Sequence, residues 1–183
     1  KIKTNDNEIE KIQNILNKLM ELDLIEDGVI SSSLSQSKEM WKLRESISES
    51  QKAEGGSIKN DISVPIKFID EFIKKGISIT KEIIPGSRSV IFGHIGDGNI
   101  HFNISQPTKI KKDDFFKFEK KIRKRLVDLT MSLDGSFSAE HGIGVTRKAE
   151  LKKYKKDELN IMKGIKKSID SKNILNPGKI IDH

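Results

Sequence analysis

The stretch from residue 88 to 104 constrains the fold of this chain most, because two β-rich runs flank the sequence Gly96-Asp97-Gly98-Asn99. An Asp-Gly pair between alternating apolar residues is a strong signal for a β-hairpin. If Asp97-Gly98 is a two-residue turn, His94 and His101 lie directly opposite each other, with Cβ atoms about 4.5–5.5 Å apart. They then share one face of the hairpin with Asn103. The other face is apolar and suited to packing under helices: Ile91, Gly93, Ile95, Ile100, Phe102 and Ile104.

The histidine pair indicates metal chemistry if a carboxylate joins it. Glu140 and His141 are neighbours in a glycine-rich loop, and two imidazoles with one carboxylate bind Zn²⁺, Mn²⁺ or Fe²⁺ with open coordination positions. The alternative is that His94 and His101 only stack across the strands and that Glu140 is a solvated loop acid. The glycines of the hairpin match neither a dinucleotide-binding fingerprint nor a P-loop, so turn geometry explains them.

The composition excludes several other classes of site. The chain has 183 residues, no Cys and a net charge of +7, so disulfides and thiolate metal sites are ruled out. Only five of its 34 cationic residues are Arg, which argues against a dedicated reader of DNA bases. No apolar run approaches the roughly 18 residues of a membrane span. The length predicts one domain over residues 1–183, and the first residue, Lys1, suggests a piece of a longer protein.

Apolar spacing and turn signals predict an α+β fold. The predicted helices cover residues 6–23, 38–48, 66–84, 113–133 and 156–170, and the predicted strands outside the hairpin cover 28–32 and 58–64. Together they predict a mostly antiparallel, ferredoxin-like sheet with helices packed on one face.

Five segments resemble motifs of a known family. Residues 93–103 and 140–144 are similar to the C-terminal domain of FAD-linked oxidases, a group that includes D-2-hydroxyglutarate dehydrogenase, flavin-type D-lactate dehydrogenase and the glycolate oxidase flavoprotein subunit. Residues 41–44, 59–65 and 176–179 extend the resemblance over nearly the whole chain. The segment 59–65 is most similar to the D-2-hydroxyglutarate dehydrogenase branch.

The resemblance implies a metal site and a reaction. His94, His101 and Glu140 match the ligands of a divalent metal, usually zinc. The implied reaction oxidises a D-2-hydroxy acid, of the 2-hydroxyglutarate or lactate type, to the 2-oxo acid with hydride transfer to FAD. His141 matches a residue that faces the substrate and would take the hydroxyl proton as general base. The FAD is expected to be bound mainly by an N-terminal domain that is absent from this chain. Without that domain, this chain is expected to be inactive.

The resemblance also implies four further contacts to the substrate. Arg44 and Lys59 match the cations that hold the substrate carboxylates, and Ser48 falls where the dicarboxylate branch has a hydroxyl. Asn103 matches a residue that faces the substrate carboxylate and hydroxyl. From the residues alone, an Arg on a helix such as Arg44 is more often a surface ion-pair partner, and Lys59 is one of many lysines, so these roles rest on the resemblance.

Two other classes of function stay open at the level of sequence. The histidine–carboxylate set would also suit a self-contained metalloenzyme, and the lysine clusters would suit a basic module that binds nucleic acid or a membrane surface. The favoured interpretation names as partners the N-terminal FAD-binding domain, a small 2-hydroxy acid, and an electron acceptor that is a flavoprotein carrier, a quinone or a cytochrome. It includes no nucleic acid and leaves a homodimer open. It places the protein in the cytoplasm, with peripheral attachment to the inner membrane as an option.

Overall fold

The computed structural model describes residues 6–182, apart from the side chains of Asp6, Ser48 and Lys52. The chain divides into two compact units, residues 1–49 and 50–183, and each is described by itself. The helices are α1 (Asp6–Glu21), α2 (Leu34–Ser50), α3 (Ile69–Ile83), α4 (Lys112–Phe116), α5 (Glu119–Ser132), α6 (Lys148–Tyr154) and α7 (Lys156–Ile169). The strands are β1 (Ser57–Ser63), β2 (Arg88–His94) and β3 (Asn99–Ser105).

The first unit contains the two helices that the apolar spacing predicted, but the predicted strand over 28–32 is wrong. The residues before α2 instead begin that helix. The Gln36 N–H donates to Ser33 Oγ at 3.2 Å, and Gln36 Oε1 accepts the Ser32 N–H at 2.8 Å, an arrangement similar to a capping box. Val29 is 75% exposed, and residues 27–31 have no strand pairing.

The second unit is built on a three-stranded antiparallel sheet in the order β1-β3-β2. An isolated antiparallel bridge joins Ser63 to Ser136 on the other side of β1. This bridge lies where the fourth strand of a ferredoxin-like sheet would run, since that fold follows the element order βαββαβ. The predicted α+β class with an antiparallel sheet is confirmed.

The hydrophobic core lies between one face of this sheet and the helices α3 and α5. Phe102 of β3 contacts Phe72 of α3 edge-to-face, with ring centroids 5.9 Å apart, and both side chains are fully buried. Ile122 and Leu126 of α5 complete the same cluster. Because side chains alternate across a strand, the residues between these core positions face the other side of the sheet, which we call the site face.

The hairpin forms, but its predicted two-residue turn is wrong. His94 pairs with Asn99 and Phe92 pairs with His101, so residues 95–98 form the connection. Gly98 is tied to the end of β1, because its carbonyl accepts the Val64 N–H at 3.1 Å. Ile95, predicted in the core, lies in this connection and is 77% exposed.

The later helices follow the prediction in part. The helix predicted over 113–133 is divided into α4 and α5, and α7 matches the helix predicted over 156–170. Helix α6 was not predicted, and it has a single buried apolar side chain, Leu151. Within residues 6–182, no helix is long and apolar enough to cross a membrane.

Candidate metal and substrate site

The site face carries the polar residues of β1 and β3. His101 and Asn103 alternate with the core residues Ile100 and Phe102 along β3, so both face away from the hydrophobic core. His94, at the end of β2, is a diagonal neighbour of His101, and their ring centroids are 6.4 Å apart. The two histidines therefore share a face as predicted, although they are not directly opposite each other.

Glu140 completes a three-residue cluster with the histidines. One of its oxygens lies 3.5 Å from His94 Nε2 and the other lies 3.5 Å from His101 Nε2. One ligand atom from each of the three residues lies within 4.8 Å of the other two. Ligand atoms around a tetrahedral zinc ion with bonds of about 2.0–2.1 Å are about 3.3 Å apart. The donor types and their spacing therefore fit a divalent transition metal.

The cluster is closed on the sheet side and open on the solvent side. The His101 side chain is 16% exposed, whereas those of His94 and Glu140 are 48% and 47% exposed. Three protein ligands with an accessible fourth position are typical of catalytic zinc sites, where a substrate or water occupies that position. The arrangement can thus hold a cation and present it to a small molecule.

Asp61 lies beneath this cluster, and the sequence analysis did not select it. It is directly opposite His101 on β1 and is only 3% exposed. Its Oδ2 accepts the N–H groups of Glu140 and His141 at 2.8 and 3.0 Å, and its Oδ1 accepts the Asn99 amide at 3.0 Å. Burial by itself raises the Asp61 pKa, but these donated hydrogen bonds outweigh it and hold the pKa below its ordinary value.

His141 lies beside the cluster with most of its side chain in solvent. It is 71% exposed, and its Nδ1 is 3.7 Å from Asp61 Oδ2. Its ring centroid is 6.2 Å from that of His101. The structure therefore brings His141 next to the three candidate ligands, as the predicted base would require.

Asn103 and Lys59 extend the site face along the strands. They are directly opposite each other in the β1–β3 pairing. Asn103 is 5% exposed and its Nδ2 donates to Gln51 Oε1 at 3.0 Å, whereas Lys59 is exposed. This places an amide and a cation in the same direction from the cluster. Gln51, which holds the amide, was also missed by the sequence analysis.

Arg44 and Ser48 lie one turn apart on α2. The Arg44 side chain is half-buried and has interactions of its own, and the Ser48 side chain is outside the described residues. Their predicted roles in binding the substrate stay predictions.

One sequence signal does point to Asp61 in retrospect. Asp is depleted in strands, yet Asp61 lies in the middle of β1, two residues after Lys59 and therefore on the same face. Asn99 and Gln51 carry no comparable signal, because their roles depend on contacts between distant segments.

Comparison with known proteins gives one family and several relatives. A model of the family described as "FAD linked oxidases, C-terminal domain" matches residues 2–180. The chain is 41% identical over 155 residues to a D-2-hydroxyglutarate dehydrogenase of Stutzerimonas stutzeri (84% of this chain, 33% of the relative). It is 38% identical over 164 residues to one of Xanthomonas citri pv. viticola (89% and 34%). It is 35% identical over 178 residues to the mitochondrial enzyme of Arabidopsis thaliana (97% and 30%). The chain thus spans about a third of the length of these curated relatives.

Proposed function

Because the chain belongs to the family of C-terminal domains of FAD-linked oxidases, we propose that it is the substrate- and metal-binding domain of a D-2-hydroxy acid dehydrogenase. The substrate we propose is D-2-hydroxyglutarate, which the enzyme oxidises to the 2-oxo acid. The names of the relatives support this substrate over lactate.

The observation that carries the proposal is the cluster of His94, His101 and Glu140 on the site face, with ligand atoms within 4.8 Å of one another. Since the donors suit zinc and one side is open, we propose that these three residues bind Zn²⁺. When bound, the cation supplies Lewis-acid polarisation of an oxygen-bearing substrate. The protein contributes a fixed geometry and a negative carboxylate beside two neutral imidazoles.

His141 is the residue we propose as general base. Its Nδ1 is turned towards Asp61 Oδ2 at 3.7 Å, so Nε2 is the atom left to accept the proton of the substrate hydroxyl. The negative charge of Asp61 stabilises the imidazolium that forms when the proton arrives. The exposed position of the ring lets the proton pass on to solvent.

Lys59 and Asn103 are proposed to hold the substrate carboxylates, with Arg44 and Ser48 as further candidates on α2. The bond from Asn103 Nδ2 to Gln51 fixes the amide, so that Oδ1 and the remaining N–H keep one orientation. A dicarboxylate needs more than one cation, and Lys59 supplies one at the exposed end of the site face. Lys59 should therefore discriminate between 2-hydroxyglutarate and lactate.

The redox step requires a flavin. The glycines of the hairpin form a turn and not a phosphate-binding loop. We therefore assign no residue of this chain to binding the flavin. Bound FAD supplies the acceptor for the hydride, that is, the hydrogen and two electrons that leave C2 of the substrate while the hydroxyl proton goes to His141. The product is the 2-oxo acid. We propose that the two electrons then pass to a flavoprotein carrier, a quinone or a cytochrome.

Metal content and turnover of the flavin-loaded full-length protein test the proposal. We expect zinc by elemental analysis of the wild type and loss of zinc and activity in His94→Ala and Glu140→Gln. The matched control is Glu82→Gln, which removes an exposed carboxylate that pairs with Arg125 on the helices and should retain both. Equal, negligible zinc in all four proteins would contradict the metal site.

Substrate choice needs a second measurement. Lys59→Met should raise KM for D-2-hydroxyglutarate and leave KM for D-lactate nearly unchanged, because lactate has no second carboxylate. A wild-type enzyme that oxidises D-lactate and ignores D-2-hydroxyglutarate would overturn the proposed substrate and leave the metal site standing.

A further inference from the structure

The carboxylate of Asp61 contacts two of the three segments that bring ligands to the cluster. It belongs to β1, whereas His101 comes from β3, and Glu140 and His141 come from a loop 79 and 80 residues further along the chain. Asp61 is nearly completely buried, so its two oxygens face these groups rather than water.

The first oxygen faces the ring of His101. Asp61 Oδ1 is 3.6 Å from His101 Nδ1, while the opposite ring nitrogen, Nε2, is 3.5 Å from Glu140. An imidazole that places its Nδ1 proton towards a carboxylate keeps the lone pair on Nε2, which is the atom a metal requires. The position of Asp61 therefore favours the tautomer of His101 that can bind a cation.

The second oxygen fixes the loop that carries the other ligand. The N–H groups of Glu140 and His141 both donate to Oδ2, at 2.8 and 3.0 Å. Two adjacent backbone donors on one buried oxygen set the position of the peptide between these residues. The Glu140 side chain starts from that peptide, so its reach towards His94 and His101 depends on it.

The charge of Asp61 also suits a cation above it. A buried carboxylate is costly unless it is paired or hydrogen-bonded, and here the pairing comes from neutral donors, of which Asn99 is the third. Metal-bound imidazoles are neutral, so the charge of the site comes from the carboxylates of Glu140 and Asp61. Their two negative charges together balance a divalent cation.

Resting on the proposed metal site, we infer that Asp61 is a positioning residue for that metal: Oδ1 fixes the tautomer of His101 and Oδ2 fixes the backbone of Glu140 and His141. It does not ligate the metal itself. Loss of a carboxylate that orients metal ligands without binding the metal typically lowers metal affinity by about 10- to 100-fold.

The sharpest variant is Asp61→Asn, since it keeps the shape and removes the charge. Its amide oxygen can still accept the two loop N–H groups at the Oδ2 position. Its NH₂ group then lies at the Oδ1 position, where it faces His101 Nδ1. Asn99 can accommodate the change by turning its amide, because Asn99 Oδ1 is buried and has no hydrogen bond. His101 would accept at Nδ1 and carry its proton on Nε2, which is the wrong tautomer for binding.

The test is the zinc affinity of the flavin-loaded full-length protein in zinc-buffered solutions, with the unfolding temperature measured in excess chelator. For Asp61→Asn we expect a zinc affinity of the folded protein lower by about 10- to 100-fold, with flavin content close to wild type. The metal-free variant should also unfold at a lower temperature, because the hydrogen-bonded Asp61 carboxylate of lowered pKa contributes to folding. A purely structural role would lower the unfolding temperature and leave the zinc affinity of the folded protein at the wild-type value. Asp128→Asn is the matched control, because Asp128 is also a hydrogen-bonded carboxylate of lowered pKa, held by Lys153 and Tyr154 on the helices, and it should bind zinc as the wild type does.

Asp61→Glu provides a second variant if the first fails to fold. It keeps the charge but moves the carboxylate by one methylene group, so an affinity loss of at least about tenfold is expected if position matters. Wild-type zinc affinity in either folded variant overturns the inference and leaves the proposed function intact. A wild-type protein that binds no zinc overturns the proposed metal site and this inference with it.

Discussion

Gly98 lies in the connection between β2 and β3, and its replacement should disturb the site. It has a φ of +74°, and a Cβ added there would lie 2.0 Å from the carbonyl oxygen of Val64. The Gly98 carbonyl also accepts the Val64 N–H at 3.1 Å. Gly98→Ala therefore places a methyl group in a left-handed conformation and against the segment that follows β1.

The cost follows from two contributions. A left-handed backbone costs a non-glycine residue about 1–2 kcal/mol, and loss of the hydrogen bond to Val64 adds about 1 kcal/mol. We expect the free energy of unfolding to fall by about 2–3 kcal/mol, which for a chain of this size lowers Tm by about 4–12 °C. Zinc affinity should fall as well, since Gly98 connects His94 to Asn99 and His101.

Gly96→Ala is the matched control in the same turn. A Cβ at Gly96 has no atom within 4 Å, and its φ is outside the left-handed range, so its stability should stay within about 0.5 kcal/mol of the wild type. Urea and thermal unfolding followed by circular dichroism measure both variants. Equal stability of the two alanine variants would refute the reasoning, because only Gly98 has the strained backbone and the close contact.

Two further predictions concern pH and substrate binding. The hydrogen bond from Lys166 lowers the Asp170 pKa from 3.8 to about 2, so the stability that Asp170 contributes is present above pH 3.8 and lost as the pH falls towards 2. Asp170→Asn should therefore flatten the dependence of Tm on pH between these values, and a curve that keeps the wild-type slope there would contradict the assignment. Gln51→Leu removes the acceptor of the Asn103 amide and should raise the substrate KM by about 3- to 10-fold, with a smaller effect on kcat in steady-state assays. An unchanged KM would show that Asn103 does not need this partner.

Local signals in the sequence predicted the elements better than their connections. The alternation of residues 58–64 and the spacing along α3 and α7 follow from periodicity within one segment, and the structure contains all three. The predicted two-residue turn was wrong because the conformation of residues 95–98 depends on a segment distant in the sequence. The Val64 N–H donates to the Gly98 carbonyl, and no pattern within residues 94–101 predicts that hydrogen bond.

Asp61 and α6 illustrate the same limit at the site. Asp61 obtains its donors from residues 79 and 80 positions away, a pairing that only the folded chain reveals. Helix α6 is short and has one buried apolar residue, Leu151, so no periodic pattern could mark it. Both features depend on tertiary contacts, which propensity and spacing do not contain.

The predicted hairpin register was wrong by two residues, and this particular error keeps His94 and His101 on one face of the sheet. Side chains alternate with a period of two, so a shift of two residues leaves His94 and His101 on the same face, whereas a shift of one residue would have buried one of them. The shift also changes the distance between them. Directly opposite Cβ atoms are about 4.5–5.5 Å apart and diagonal neighbours about 7–8 Å apart. The wider diagonal spacing leaves room for the Glu140 carboxylate to face both rings at 3.5 Å. The observed register thus suits three ligands around one ion better than the stacked pair that a two-residue turn would have produced.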